Sequence, residues 1–302
     1  MRKVITLHQA SSMDQVYAAI TKAANDLAKA INAAHIFVIS DEPCIEVPFD
    51  TPSTFLQTAS PTKGVSEELR DVLREDFTQN LKTKIVGPAF DDFAFVQDIA
   101  LSAYVNDVVS VGYVLGVLCL TELSSIVVCD IKQLTAVKAI DEAGGRVDPV
   151  ALKAVLRLAL ELGREGREGK KVGTAFIVGD TDEVLKRSHQ LILNPYKGHA
   201  EETRDIKNRS HWETIKEFAQ IDGVFIVDER GVIASAGRYL DINTKSIELE
   251  GLGGRHMSAL AVTRETDAIA VTVSESGGIE RLFKGGVETR IEPSTDLLLP
   301  LL

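Results

Sequence analysis

Cysteine is scarce in this chain. The three present, Cys44, Cys119 and Cys129, form no CxxC pair and are odd in number, which speaks against a disulfide framework and predicts buried thiols in a reducing compartment. Long apolar runs are also lacking. The most lipid-like stretch, 108–120, falls short of the roughly 20 apolar residues a membrane helix needs and is closed by Thr121-Glu122, so no membrane segment is expected there. The N-terminus, Met1-Arg2-Lys3-Val4-Ile5-Thr6, has neither the apolar run nor the small-residue cleavage site of an export signal, and a cytoplasmic location is the expectation. A basic excess is absent too: 33 Lys plus Arg against 44 Asp plus Glu give a formal charge of −11. Coating of nucleic acid is therefore not expected, since phosphate contacts are made chiefly by clustered Lys and Arg. Any polyanion must meet a local basic site.

What is present is ordinary globular material, 302 residues of which 45% are apolar and 25% charged, enough for two domains. Across 14–34, apolar residues at Val16, Ala19, Ile20, Ala23, Leu27 and Ile31 have helical spacing. Residues 35–39 and 124–130 read as short strands, and 133–143 as a helix stopped by Gly144-Gly145. Asp148-Pro149 has the cap-plus-Pro pattern that opens a helix over 150–162. The stretch 48–63 is rich in Thr, Ser and Pro, and 66–82 is a charged helical pattern. The first half, 1–146, thus reads as a small α/β domain without a phosphate loop or a metal-spaced His/Cys set, and its helix–strand alternation resembles the α/β domain that ends pyruvate kinases.

The second half, 147–302, reads as a mixed sheet wrapped by helices. After a charged turn, 173–179 is nearly continuously apolar, as a strand buried on both faces is. Residues 221–227 form a second such strand, Asp228-Glu229-Arg230-Gly231 a turn, and 232–237 its hairpin partner. A third strand, 268–273, runs into Ser274-Glu275-Ser276-Gly277-Gly278 and a further strand at 279–283. Asp222-Gly223 places a carboxylate at the start of a buried strand, where it is costly unless paired, solvated or holding a metal. Leu252-Gly253-Gly254-Arg255-His256 puts two glycines before a short helix, whose free amides and dipole favour an anion, with two side-chain donors beside them. An acid, an anion-binding helix end and a hydroxyl/carboxylate turn, each at the end of a core element, suit phosphoryl or nucleotidyl transfer. His189, His199 and His211 match no zinc spacing, and Trp212 is expected to pack its helix onto the sheet.

These motifs resemble those of the diadenylate cyclase domain family, Asp-Gly-Ala, Arg-His-Arg and Ser-Glu-Glu. Here they stand as Asp222-Gly223-Val224, Arg255-His256-Met257 and Ser274-Glu275-Ser276, and the resemblance covers roughly 150–284. A soluble α/β domain before the cyclase domain is similar to the archaeal branch. The resemblance implies a DAC fold and a nucleotidyltransferase that condenses two ATP into cyclic di-AMP and two pyrophosphates, in a face-to-face dimer within a homo-oligomer. It implies Mn²⁺ or Mg²⁺ as cofactor, with Asp222 as catalytic residue and, with Glu275, as metal ligand. Gly223, Leu240, Gly254, Arg255, His256 and Ser274 would bind the nucleotide, with adenine near Leu240. Met257 deletes a cation and Ser276 an acid relative to the family pattern. The alternative reading is a nucleotide- or cyclic-dinucleotide-binding module without turnover.

Overall fold

The computed structural model describes residues 12–40, 49–57, 94–119, 124–242, 253–275 and 280–291. They fall into two compact units divided between Leu134 and Thr135. Among the described residues no helix is long and apolar enough to cross a membrane.

Among the described residues the first unit is a four-stranded sheet between two helices. Helix α1 (Ser12–Ile31) carries its apolar stripe at Ile20, Ala24, Leu27, Ala28 and Ile31 onto the sheet. Strand β1 (His35–Ser40) is buried along its whole length and lies centrally, parallel to β2 (Ser53–Gln57) on one side and to β3 (Tyr113–Cys119) on the other. Ile36, Val38, Leu115 and Val117 face α1. Between β2 and β3 in the chain comes helix α2 (Ala94–Val105), which reaches the opposite face through Val96. A side chain at Gly116 would meet Val96 at 2.8 Å, so glycine there permits the close approach. Strand β4 (Ser124–Asp130) closes the order β2-β1-β3-β4 as an antiparallel edge. The helical pattern read at 66–82 lies outside the described residues. The Thr-, Ser- and Pro-rich stretch carries β2, and 108–120 delivers the β3 strand.

The second unit begins with helix α3 (Thr135–Ala143), so the Gly144-Gly145 stop separates two helices of one unit. Helix α4 (Pro149–Glu165) opens as its sequence requires: Asp148 Oδ1 accepts from the Val150 N–H at 2.9 Å and Pro149 occupies the first turn, where its missing N–H costs nothing. Strand β5 (Thr174–Val178), buried throughout, is central. Short helix α5 (Thr181–Lys186) leads to edge strand β6 (Ser188–Gln190), and α6 (Trp212–Phe218) precedes the hairpin β7 (Val224–Val227) and β8 (Ile233–Leu240). Helix α7 (Gly254–Glu265) and strands β9 (Ile269–Val273), β10 (Glu280–Lys284) and β11 (Val287–Ile291) complete the sheet, ordered β11-β10-β9-β5-β7-β8-β6. Only β5 and β7 pair in parallel within it; the remaining ladders are antiparallel.

One face of this sheet, with Ala175, Ile177, Ile226, Ala270 and Phe283, packs against Ala259, Leu260 and Val262 of α7. The other face stacks Phe176 on Phe225 with ring centroids 4.9 Å apart. Each such buried side chain contributes roughly 1.5–3 kcal/mol. Trp212 is buried and donates its indole N–H to the Ile206 carbonyl at 2.7 Å, so it packs α6 as expected.

Next to Trp212's helix lies a buried lysine. The Lys216 side chain is 4% exposed and its ammonium pairs with Glu161 and Glu165 of α4 and with Glu213. Burial pulls its pKa down, but the hydrogen bonds to Glu161 and Glu213 outweigh that and hold it above the ordinary lysine value. Lys216→Met is expected to cost about 3 kcal/mol, the low end for breaking a buried pair, because it takes the closest cation from the largely buried Glu161 while Glu165 and Glu213 stay open to solvent. Urea unfolding measures this, and an unchanged midpoint would contradict the pairing.

Candidate functional site

The site is built at one end of the seven-stranded sheet, where β7 and α7 begin and β9 ends. Gly223 precedes β7 with φ +104°, and a Cβ there would stand 2.6 Å from the Arg238 carbonyl oxygen and 2.7 Å from its nitrogen. The β8 backbone therefore demands glycine on steric grounds before any ligand does. With Gly223 held against β8, Asp222 is carried outward and its side chain is 88% exposed.

Helix α7 starts from Gly253, whose extended backbone caps the helix without a side-chain acceptor. The first amides of α7 thus have no side-chain partner from the cap. Among the described residues a side chain at Gly254 would meet nothing within 4 Å, so none of them covers this turn. Arg255 leans out of the same turn, 32% exposed, and stands between two acids. One guanidinium nitrogen is 3.5 Å from Asp222 Oδ1, and another is 3.8 Å from Glu275 Oε2. Glu275, 73% exposed, follows Ser274 directly after β9.

Asp222, Arg255 and Glu275, 53 residues apart at their extremes in the chain, thus form one cluster with Ser274 beside it. Gly173, to which the sequence assigned no role, lies beneath. A Cβ there would come within 3.2 Å of the Arg255 guanidinium and 3.0 Å of the Glu275 Cβ. Its only sequence signal is a glycine immediately before an all-apolar strand.

His256 lies on the sheet side of the same turn. It is 8% exposed, its ring meets Phe283 of β10 edge-on at 6.4 Å, and its Nε2 has no hydrogen-bond partner among the described residues. Burial foremost, then the cations Arg281 and Arg255 against the opposing pull of Glu288, holds its pKa below the ordinary value of 6.5. The imidazole is therefore a neutral donor or acceptor at neutral pH, and Arg255 is the cation of the pair. Leu240 is buried in the core on the sheet face that α7 also covers, while its neighbour Tyr239 is exposed and lies 5.4 Å from the ring of His189, which Asp241 holds at 2.8 Å. Ser276 lies outside the described residues.

Burial also depresses the pKa of His35 in the first unit. For both histidines protonation favours the unfolded chain. Their contribution to stability is full above about pH 6.5, is lost as pH falls below that, and levels off once the folded-state values are passed. Melting temperatures are expected to fall between about pH 7.5 and pH 5.5, a window above ordinary carboxylate titration. A flat profile would contradict the burial of both rings.

Two acids within reach of one guanidinium, both solvent-facing, offer hard oxygen ligands of the kind Mg²⁺ and Mn²⁺ accept together with substrate phosphates. Among the described residues no group of three or more His, Cys, Asp or Glu could enclose a metal. The donor set therefore fits a cation shared with a ligand and does not fit a closed structural site.

Comparison with known proteins divides the chain as the fold does. The family described as "DisA bacterial checkpoint controller nucleotide-binding" matches residues 161–287, and one described as "Probable sensor domain DacZ_A" matches residues 19–132. A diadenylate cyclase of Methanocaldococcus jannaschii is 47% identical over 148 residues, which is 49% of this chain and 47% of that protein. One of Haloferax volcanii is 42% identical over 146 residues, 48% of this chain and 53% of that protein. A DNA integrity scanning protein of Clostridium botulinum is 27% identical over 140 residues, 45% of this chain and 36% of that protein. The matches thus span about half the length of the archaeal relatives.

Proposed function

We infer that this chain, whose residues 161–287 belong to the diadenylate cyclase family of nucleotide-binding domains, condenses two ATP into cyclic di-AMP and two pyrophosphates. The observation that carries this reading is Arg255 at the first turn of α7, between Asp222 and Glu275. It joins an anion-binding helix end to two acids at a single point.

In this reading the triphosphate lies over the open first turn of α7, where the Gly254 and Arg255 amides, the Arg255 guanidinium and Ser274 take its oxygens. Asp222 and Glu275 hold Mn²⁺ or Mg²⁺, which when bound supplies charge neutralisation at the phosphates. In this reading Asp222 also accepts the proton of a 3′-hydroxyl. That oxygen attacks the α-phosphorus of a second ATP, a P–O bond forms, and the bond to the β-phosphate oxygen breaks with pyrophosphate carrying away the electron pair. The same step repeated in the opposite sense closes the ring. One copy of the site offers a single nucleotide and no second phosphorus at attack distance, so two copies must meet face to face. The second unit, which begins at Thr135, is the catalytic domain in this account, and the first unit the part through which a signal reaches that encounter.

Retention of Asp222 speaks against the binding-only alternative, since gripping phosphates needs Arg255 and gains nothing from an exposed acid. The test is a comparison of ATP with ADP in the presence of Mn²⁺ or Mg²⁺. ATP is expected to yield cyclic di-AMP, whereas ADP, having no pyrophosphate to release, yields none. ATP that binds tightly and stays unaltered would replace this reading with the binding module.

A further inference from the structure

The first turn of α7 has a second cation beneath it. Arg281 of β10 pairs in register with Thr272 of β9, so the two side chains leave the sheet on the same face. Phe283, two residues on and therefore also on that face, packs in the core under α7 and against the His256 ring. At the other end of the helix, a side chain at Gly286 would collide with Arg264. Helix α7 therefore runs in the same direction as β10, and its first turn lies over the beginning of that strand.

Arg281 is 9% exposed, and its Nε is 3.2 Å from Glu288 Oε1 without hydrogen-bond geometry. Among the described residues the Nε of Arg281, the Nε2 of His256 and the Oγ1 of Thr272 are all buried without a hydrogen-bond partner. Buried polar atoms are nearly always paired, so the unpartnered His256 and Thr272 atoms beside Arg281, whose Nε already faces Glu288, mark a place prepared for a ligand's oxygens. The other basic residues of this region are elsewhere. Arg264 lies at the far end of α7, and Lys284 pairs with Glu142 at 3.6 Å.

We propose that Arg281 is a phosphate-binding residue of the site, supplying from β10 the second cation that Met257 does not provide within α7, with His256 beside it as a neutral donor to the same phosphate chain. This rests on the reading of the site as one for ATP. A guanidinium fixed by the sheet, with Glu288 at its back, can present its terminal nitrogens to a triphosphate without first being ordered.

The experiment measures equilibrium binding of 3′-deoxyadenosine triphosphate and monophosphate, which lack the attacking hydroxyl and cannot turn over. The variant is Arg281→Met combined with Glu288→Gln, which removes the ion pair together and leaves no orphaned carboxylate. Triphosphate affinity is expected to fall about tenfold or more, monophosphate affinity to stay within about twofold, and Met257→Arg on the same background to recover most of the loss. Unchanged triphosphate affinity, or parallel weakening of both nucleotides, overturns the proposal. Should circular dichroism show the double variant unfolded, Arg281→Lys keeps the charge facing Glu288, and a smaller loss confined to the triphosphate is required of it. A wild-type chain that binds neither nucleotide defeats the ATP reading itself, a result distinct from any failure of Arg281.

Discussion

Asp222→Asn is expected to lower cyclic di-AMP formation by at least about a hundredfold, the scale on which a positioned acid–base group contributes, while the melting temperature stays that of the wild type. Both parts follow from the same geometry. The carboxylate is 88% exposed and its contact with Arg255 at 3.5 Å is an open ion pair worth about 0–1 kcal/mol. The fold therefore loses little with the charge. In the proposed chemistry the variant lacks the negative oxygen that would take a hydroxyl proton and share a divalent cation, and Asn keeps the shape of the side chain without either property. Turnover at the wild-type rate in this variant would remove Asp222 from the chemistry.

Gly223→Ala, one residue along, is expected to do the reverse and destabilise the second unit by roughly 3 kcal/mol or more. The backbone conformation at φ +104° is one that L residues rarely adopt, and strain of that type costs about 1–3 kcal/mol. The added methyl would also lie 2.6–2.7 Å from the Arg238 and Gly237 backbone, and backbone cannot swing aside as a flexible side chain can. The hairpin must open or the turn must rebuild, and either takes Asp222 with it. Denaturant unfolding of wild type and variant decides the matter, and equal midpoints would show that the entry to β7 is not held against β8 as described. Neighbouring substitutions thus separate a residue kept for chemistry from one kept for packing.

Much of this was legible before any coordinates. Strands β5, β7, β8 and β9 announce themselves as apolar runs ended by turn residues, and α4 by its Asp148-Pro149 start. The cluster of Asp222, Arg255 and Glu275 could be expected because each sits at the end of a core element, and the structure brings the three together. Other parts left weak traces. Strand β2 lies in a stretch of Thr, Ser and Pro whose local chemistry favours turns, and its pairing to β1 comes from the tertiary fold. Helix α2, AFVQDIALSAYV, has little contrast between faces and so no clear period. Edge strand β6 has three residues, too few for alternation to register. Gly223 shows a similar limit. A glycine beside an acid suggests close approach of a ligand, and only the register of β7 on β8 reveals a neighbouring backbone in that space. Register likewise separates Arg281 from Arg264 and Lys284, three basic residues that the sequence alone could not rank.

The most direct test of the central claim is mass analysis of the products formed from ATP and Mn²⁺ by the wild-type chain and by Asp222→Asn in parallel, with pyrophosphate counted alongside. The expected result is cyclic di-AMP with two pyrophosphates per molecule from the wild type and almost none from the variant. Cyclic di-AMP in equal yield from both, or ATP returned unchanged by the wild type, would contradict a two-ATP condensation centred on Asp222.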